Sequence, residues 1–275
     1  MSQSVIILSL MALVLGLRLN GGEAGRPPVS ASPAVQELAQ EVRGNGWLGY
    51  AARSEGGDWD LFVCRPDGSA IRHLTRTPAC SEFSPQFSRD GRKLLYRRMP
   101  PQEKLDNNRH GEQGELVLAN ADGSAPVALG KPGGLPWASF SPDGKQIASL
   151  SIQGIAFYSL ENHAVVRTLP RHGFFQQLTW SPDGRWLLGV ANSFGTGWSV
   201  ARMDANTGEA SAVNTVDCCT PDWFPDNRDV IFSWRPPGQQ ANKGYGWTQL
   251  WRAAADGTTR QLVYAEEGRH AHARR

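Results

Sequence analysis

One short phrase, set between an aromatic residue and an apolar run, recurs along the chain and constrains its fold more than any other feature. It reads TWSPDGRWLLGV from Thr179, SFSPDGKQIASL from Ser139, QFSRDGRKLLYR from Gln86 and, altered, DWFPDNRDVIFS from Asp222. In Ser181-Pro182-Asp183-Gly184, Ser suits the first position of a type I turn, Pro presets φ at the second and Gly suits the fourth. Asn227 replaces Gly in the last copy, and Asn is the residue next most tolerant of a left-handed backbone. The aromatic before each turn closes a short strand. The run after it, such as 186–190, is bounded by turn residues and reads as a strand buried on both faces.

The Asp of this turn falls at positions 90, 143, 183 and 226, giving spacings of 53, 40 and 43. A second series of turns alternates with it: Asp67-Gly68, Asp122-Gly123, Glu161-Asn162, the corner at Asn206 to Gly208, and Asp256-Gly257. Each lies between two further short strands, as 61–64 and 71–74 flank Asp67. Every unit of about 40–50 residues therefore holds four strands and two tight turns, the signature of a propeller blade.

A Ser-Pro-Asp-Gly turn flanked by an aromatic and an apolar strand resembles the WD40-like (PD40) repeat of the TolB-type β-propellers. The resemblance runs from Gly46 to Val263, over five units, and departs at Arg89 and in 224–227. It implies an all-β fold, a β-propeller of four-stranded blades with five recognisable. The family includes periplasmic Tol–Pal components, propellers attached to peptidases, and lyases, so it implies architecture more than activity.

Second-series turns precede first-series turns by some 20 residues, so the next is due near 277, whereas the sequence stops at Arg275. GRHAHARR, from Gly268, fills the slot held by GFFQQLTW from Gly173 but ends without the aromatic. The expectation is a truncated propeller of six or more blades. The alternative is a tail that returns to complete the first blade, which lacks an inner strand because the apolar residues of 34–43 follow a helical spacing.

Residues 5–17 form an apolar run of 13, short for a membrane span, with small residues Gly22 and Ala24 beyond it. The expected organisation is a signal peptide over 1–24, a linker with a short helix over 25–45, and a C-terminally incomplete propeller over 46–275. The expected location is periplasmic or secreted, with no membrane span after cleavage. Lys plus Arg number 28 against 26 Asp plus Glu, so no strong field draws nucleic acid. Cys64, Cys80, Cys218 and Cys219 read as small thiols, with a Cys64–Cys80 bridge as the alternative.

Strand order places both tight turns of a blade at one end. All the length variation falls at the other, in 98–113, 192–197 and 235–246, joined there by the crossing 171–176. Long loops on a rigid scaffold are where function concentrates. Candidate ligand-binding residues are His172, Phe174, Phe175, Phe194, Trp198, Tyr245 and Trp247, with inter-blade packing the competing role for each aromatic. His270 and His272 make only a two-imidazole pair, and Asp106 to Asn108 lacks the acidic ligand that closes a calcium loop. No metal or cofactor is expected, and no nucleophile or phosphate-loop motif is present.

The leading expectation is a non-enzymatic module that binds a protein or a cell-envelope polymer on the long-loop face. One alternative is a lyase of the oligogalacturonate type, which needs converging imidazoles where His110, His172 and His270 form no recognisable set. The other is the propeller remnant of a larger hydrolase.

Overall fold

A computed structural model describes residues 33–100, 114–130, 137–235 and 248–265. Its recurring turn is built as the residue types require. Ser181 Oγ donates to Asp183 Oδ1 (2.6 Å) and accepts from Trp186 N (2.9 Å), while Gly184 N donates to Ser181 O (2.9 Å). The bonds repeat at Ser141 and at Ser88, and the closing glycines have φ of 68° to 75°. In the fourth copy Phe224 has no hydroxyl. Asp229 N, the counterpart of Trp186 N, donates instead to Asp226 Oδ1 (3.1 Å), and Asn227 takes the left-handed position at φ 59°.

Either side of these turns the chain forms five antiparallel sheets, the blades of a β-propeller, with one helix among the described residues, α1 (Pro33–Val42). The first sheet is β1 (Leu48–Arg53), β2 (Trp59–Cys64) and β3 (Arg72–His73), in that order. Among the described residues it has three strands, and α1 occupies the place in sequence where an inner strand would stand. The second is β4 (Ser81–Phe87), β5 (Lys93–Met99), β6 (Glu115–Asn120) and β7 (Val127–Leu129). The third is β8 (Ala138–Phe140), β9 (Gln146–Leu150), β10 (Ile155–Ser159) and β11 (Val165–Leu169). The fourth is β12 (Phe174–Trp180), β13 (Trp186–Ala191), β14 (Ser199–Asp204) and β15 (Ala210–Asn214). The fifth is β16 (Cys218–Trp223), β17 (Asp229–Trp234), β18 (Gln249–Ala254) and β19 (Arg260–Tyr264). Each four-stranded sheet is a meander in which sequence neighbours pair.

The chain divides into two compact units, one holding the first two sheets and the other the last three. The first unit has its core in Leu61, Leu94, Tyr96, Val117 and Ala119. In the second, Phe157, Phe174, Trp180, Leu187 and Met203 fill one inter-sheet junction, and Leu188, Val200, Trp223, Val230 and Phe232 fill the next. Residues 187–191, after the turn, are buried throughout, as expected of a strand covered on both faces.

Three innermost strands carry a bulge at one place in the repeat. Ser84, Gln177 and Thr220 each stand four residues before the turn's first residue, with φ of 55°, 56° and 49°, where the ladder register shifts. None is glycine, so sheet pairing on both sides must hold these backbones left-handed.

All four cysteines are free thiols, Cys64 and Cys218 buried and the other two half-buried, so Cys64 and Cys80 are not bridged. The expected leader, the C-terminal tail with His270 and His272, Asp106 to Asn108 and His110 lie outside the described residues.

Candidate functional site

In the second unit, β12 follows the crossing 170–173, whose last two residues are left-handed: His172 at φ 45° and Gly173 at φ 77°. Gly173 is required by proximity as well as by φ, since a Cβ there would stand 2.0 Å from Ser193 Oγ. The crossing thus lies directly against the loop 192–198, and Asn192 N donates to Gly173 O (2.9 Å). On its other side the loop is held by the crossing 215–217. Thr196 N donates to Thr215 O (3.0 Å), Cys218 N donates to Trp198 O (3.0 Å), and Ser199 Oγ reaches Phe194 O.

This bracing fixes an aromatic pair. Phe175 and Trp198, both half-buried, meet edge to face with ring centroids 5.2 Å apart and planes at 84°. His172, Asn192, Ser193 and Thr196 are exposed beside them in chain and loop. Asp217 of the second crossing forms an ion pair (2.9 Å) with Arg235, the residue after β17. Ring edges and faces together with neutral hydrogen-bonding groups can hold a ligand in a fixed pose.

The other candidates are placed differently. Phe174 is 0% exposed and belongs to the core between the third and fourth sheets, which corrects its assignment to a surface. Along β12 residues 174, 176, 178 and 180 are buried while 175, 177 and 179 are half-buried, so of the Phe-Phe pair only the second ring faces outward. Phe194 packs partly against the same core. Tyr245 and Trp247 lie outside the described residues. Further along the same strands, Thr220 N donates to Gln177 Oε1 (2.6 Å) and Thr179 Oγ1 to Asp222 Oδ1 (3.2 Å), so the bulged inner strands carry a polar chain between the fourth and fifth sheets.

The first unit holds a cluster that sequence reasoning missed. Glu82 in β4 is 0% exposed and Asp60 in β2 is 2% exposed. Asp60 Oδ2 lies 2.5 Å from His73 Nε2, whose ring stacks on Phe62 at 4.3 Å. Glu82 Oε2 accepts from Thr75 Oγ1 (3.1 Å), and the same Thr75 oxygen accepts from Leu61 N (2.9 Å). Burial pushes the Glu82 carboxyl up to about 7. Thr77 and Thr75 oppose that shift by hydrogen bonding, and the adjacent Asp60 carboxyl reinforces it. Arg98 is clasped by Glu115 through Nε (3.1 Å) and Nη2 (2.6 Å), and Cys80 and Tyr96, both pushed up chiefly by burial, complete the surroundings. A signal for Glu82 did exist, as an acid within an otherwise apolar and small-residue strand start. Its phase, shared with Ser84 and Gln86, instead suggests a solvent-facing row.

Among the described residues no group of three or more His, Cys, Asp or Glu side chains could hold a metal ion. No helix among them is long and apolar enough to cross a membrane.

No family model matches the sequence. The chain is 32% identical over 197 residues to an uncharacterized protein of Agrobacterium fabrum, a match covering 56% of this chain and 64% of the relative. Among solved structures it is similar to TolB from Acinetobacter baumannii, at a TM-score of 0.62 and 20% identity over 80% of this chain and 52% of that one. It also resembles a TolB-like protein from Agrobacterium tumefaciens, at 0.55 and 17% over 79% and 80%. In architecture the chain is a TolB-type β-propeller. It spans about half the length of the Acinetobacter protein and less than two thirds of its Agrobacterium fabrum relative.

Proposed function

We propose that this chain is an extracytoplasmic TolB-like propeller module that binds a protein or a cell-envelope polymer without transforming it. The observation that carries the reading is the Phe175–Trp198 pair, set in a loop braced on both sides and bordered by exposed polar side chains. Half-buried aromatics on a rigid frame supply contact area at small entropic cost, and such residues dominate the energetics of most interfaces. Gln177 and Thr179, half-buried along the same strand as Phe175, add polar side chains to this part of the fourth sheet. The near balance of charge favours a neutral polymer or a polypeptide over nucleic acid.

The test is a pull-down from envelope extract with wild type, Phe175→Ala, Trp198→Ala and Tyr245→Ala, after a matched check of folding. Loss of the same partner in the first two variants supports the reading. Retention of every partner there, with loss on changing Arg92 or Lys145 beside the short turns, reverses the face. Turnover of a uronate polymer by the purified protein would replace binding by lyase activity. N-terminal sequencing of mature protein tests export, with cleavage after Ala24 expected and an intact Met1 on cytosolic material against it.

A further inference from the structure

Asp60 and Glu82 meet where the first sheet packs on the innermost strand of the second. Each has one oxygen satisfied, Asp60 Oδ2 by His73 and Glu82 Oε2 by Thr75. The remaining oxygens, Asp60 Oδ1 and Glu82 Oε1, are buried without a partner, although the two carboxyls are hydrogen-bonding neighbours. Ionised carboxylates only accept, so their contact lacks a donor. One proton on Glu82 supplies it, turning a contact between two acceptors into an O–H···O bond. Without that proton two like charges face each other away from water, an arrangement that raises the affinity of one of them for a proton.

We propose that Asp60 and Glu82 share one proton in the folded protein, and that its release unlatches the start of β4 from the first sheet, making the first unit a pH-responsive element. The groups around the pair fit this role. On β3, His73 is directed at Asp60 by its Nε2, and its Nδ1 accepts from Arg76 Nε (3.3 Å). The crossing 74–80 contributes the hydroxyls of Thr75 and Thr77 and the half-buried Cys80. On β5 and β6, Tyr96 is buried and the Arg98 charge is taken up by Glu115. Thr75 links the pair to the backbone of β2 through Leu61 N, so a movement of Glu82 is felt across the junction.

Because the folded state holds the proton more tightly than the open chain, closure is favoured in acid and weakens as pH rises through the Glu82 value. The experiment is hydrogen exchange of the amides of 74–83 between pH 5 and 8.5, corrected for the intrinsic rate, with the amides of β12 as internal reference. The expected opening equilibrium rises about tenfold per pH unit from 5 to 7 and levels above, as one proton requires, while β12 stays flat. Glu82→Gln, which keeps a donor at every pH, abolishes the slope. Asp60→Asn moves the transition to lower pH, and His73→Gln leaves the slope in place. A flat wild-type profile overturns the proposal, as does a slope that persists in Glu82→Gln or an Asp60→Asn profile superimposable on wild type. If the slope disappears in His73→Gln but persists in Glu82→Gln, the sensor is the imidazole. Should Glu82→Gln not fold, infrared difference spectra of wild type decide: a protonated carboxyl band surviving at pH 6 supports the shared proton, and its absence refutes it.

Discussion

The junction between the fourth and fifth sheets and the junction between the first and second are made by the same kind of strand, and both bury polar groups, yet those groups are matched differently. The former closes over Leu188, Val200, Trp223, Val230 and Phe232, whose burial is favourable at any pH, and its polar chain through Gln177, Thr220, Thr179 and Asp222 is hydrogen-bonded. The latter includes apolar residues such as Leu61, but also places Asp60, Glu82 and Thr75 out of contact with water. Apolar contacts need only complementary volume, whereas buried polar groups need every donor and acceptor matched, and the contact of Asp60 with Glu82 is short of a donor by one proton. The scaffold therefore tolerates either arrangement of polar groups, and the arrangement decides which part of the molecule responds to its surroundings.

The largest effect should come from emptying the apolar contacts. Phe232→Ala removes a fully buried ring and should cost about 3–5 kcal/mol, read as a drop in urea midpoint from wild type that is the same size at pH 5.5 and pH 8. A drop that changed strongly with pH would break the contrast between the junctions. Next is pH itself acting on wild type. The folded Glu82 carboxyl lies above its unfolded value, so its contribution is complete in acid and lost as pH rises through about 7. Roughly 2–3 kcal/mol should disappear between pH 5 and pH 8, and none of that change should remain in Glu82→Gln.

Smaller effects test whether the turns, common to both units, are equivalent. Gly91 and Gly184 have φ of 68° and 75°, and a Cβ would meet nothing at Gly91 and only Pro142, at an ordinary 3.8 Å, at Gly184. Replacement of either by Val should cost about 1–2 kcal/mol, chiefly through the backbone. Ser88→Ala and Ser181→Ala each forfeit a hydroxyl that joins the Asp to the strand after the turn, at about 1 kcal/mol apiece. Unequal costs between the units would show that the turns contribute to the difference. The smallest change should be Arg92→Ala, whose exposed pairing with Asp90 at 4.0 Å should move stability by less than about 0.5 kcal/mol.

The turns and the strands beside them were legible in the sequence because their signals are local. Ser, Asp and Gly at fixed offsets dictate a backbone, and the apolar run after Trp186 dictates burial on both sides. Phases within the innermost strands were not legible. In β12 the adjacent Phe174 and Phe175 are indistinguishable by type, and only packing against the third sheet sends one inward and the other outward. The bulges at Ser84, Gln177 and Thr220 carry no glycine to announce them. Glu82 was hidden for a related reason: its alternation with Ser84 and Gln86 looks like a solvent-facing row, and only the neighbouring sheet turns that position into an interior. The aromatic pair was half legible, since the loop that carries Trp198 could be located while its partner ring could not be chosen.

Asn227 replaces a glycine that the other three turns retain, and its side chain does more than tolerate left-handed φ. Its Oδ1 accepts from Asp183 N at 2.7 Å, tying the last turn to the corresponding turn of the preceding sheet. A chain of near-identical sheets faces a problem of address during folding, because any blade could stack on any other with similar surfaces. An amide present at one turn and absent from its three counterparts labels a single interface. The least regular copy of the repeat thereby carries information about order along the stack, and drift away from the consensus serves as a key that only the correct neighbour fits.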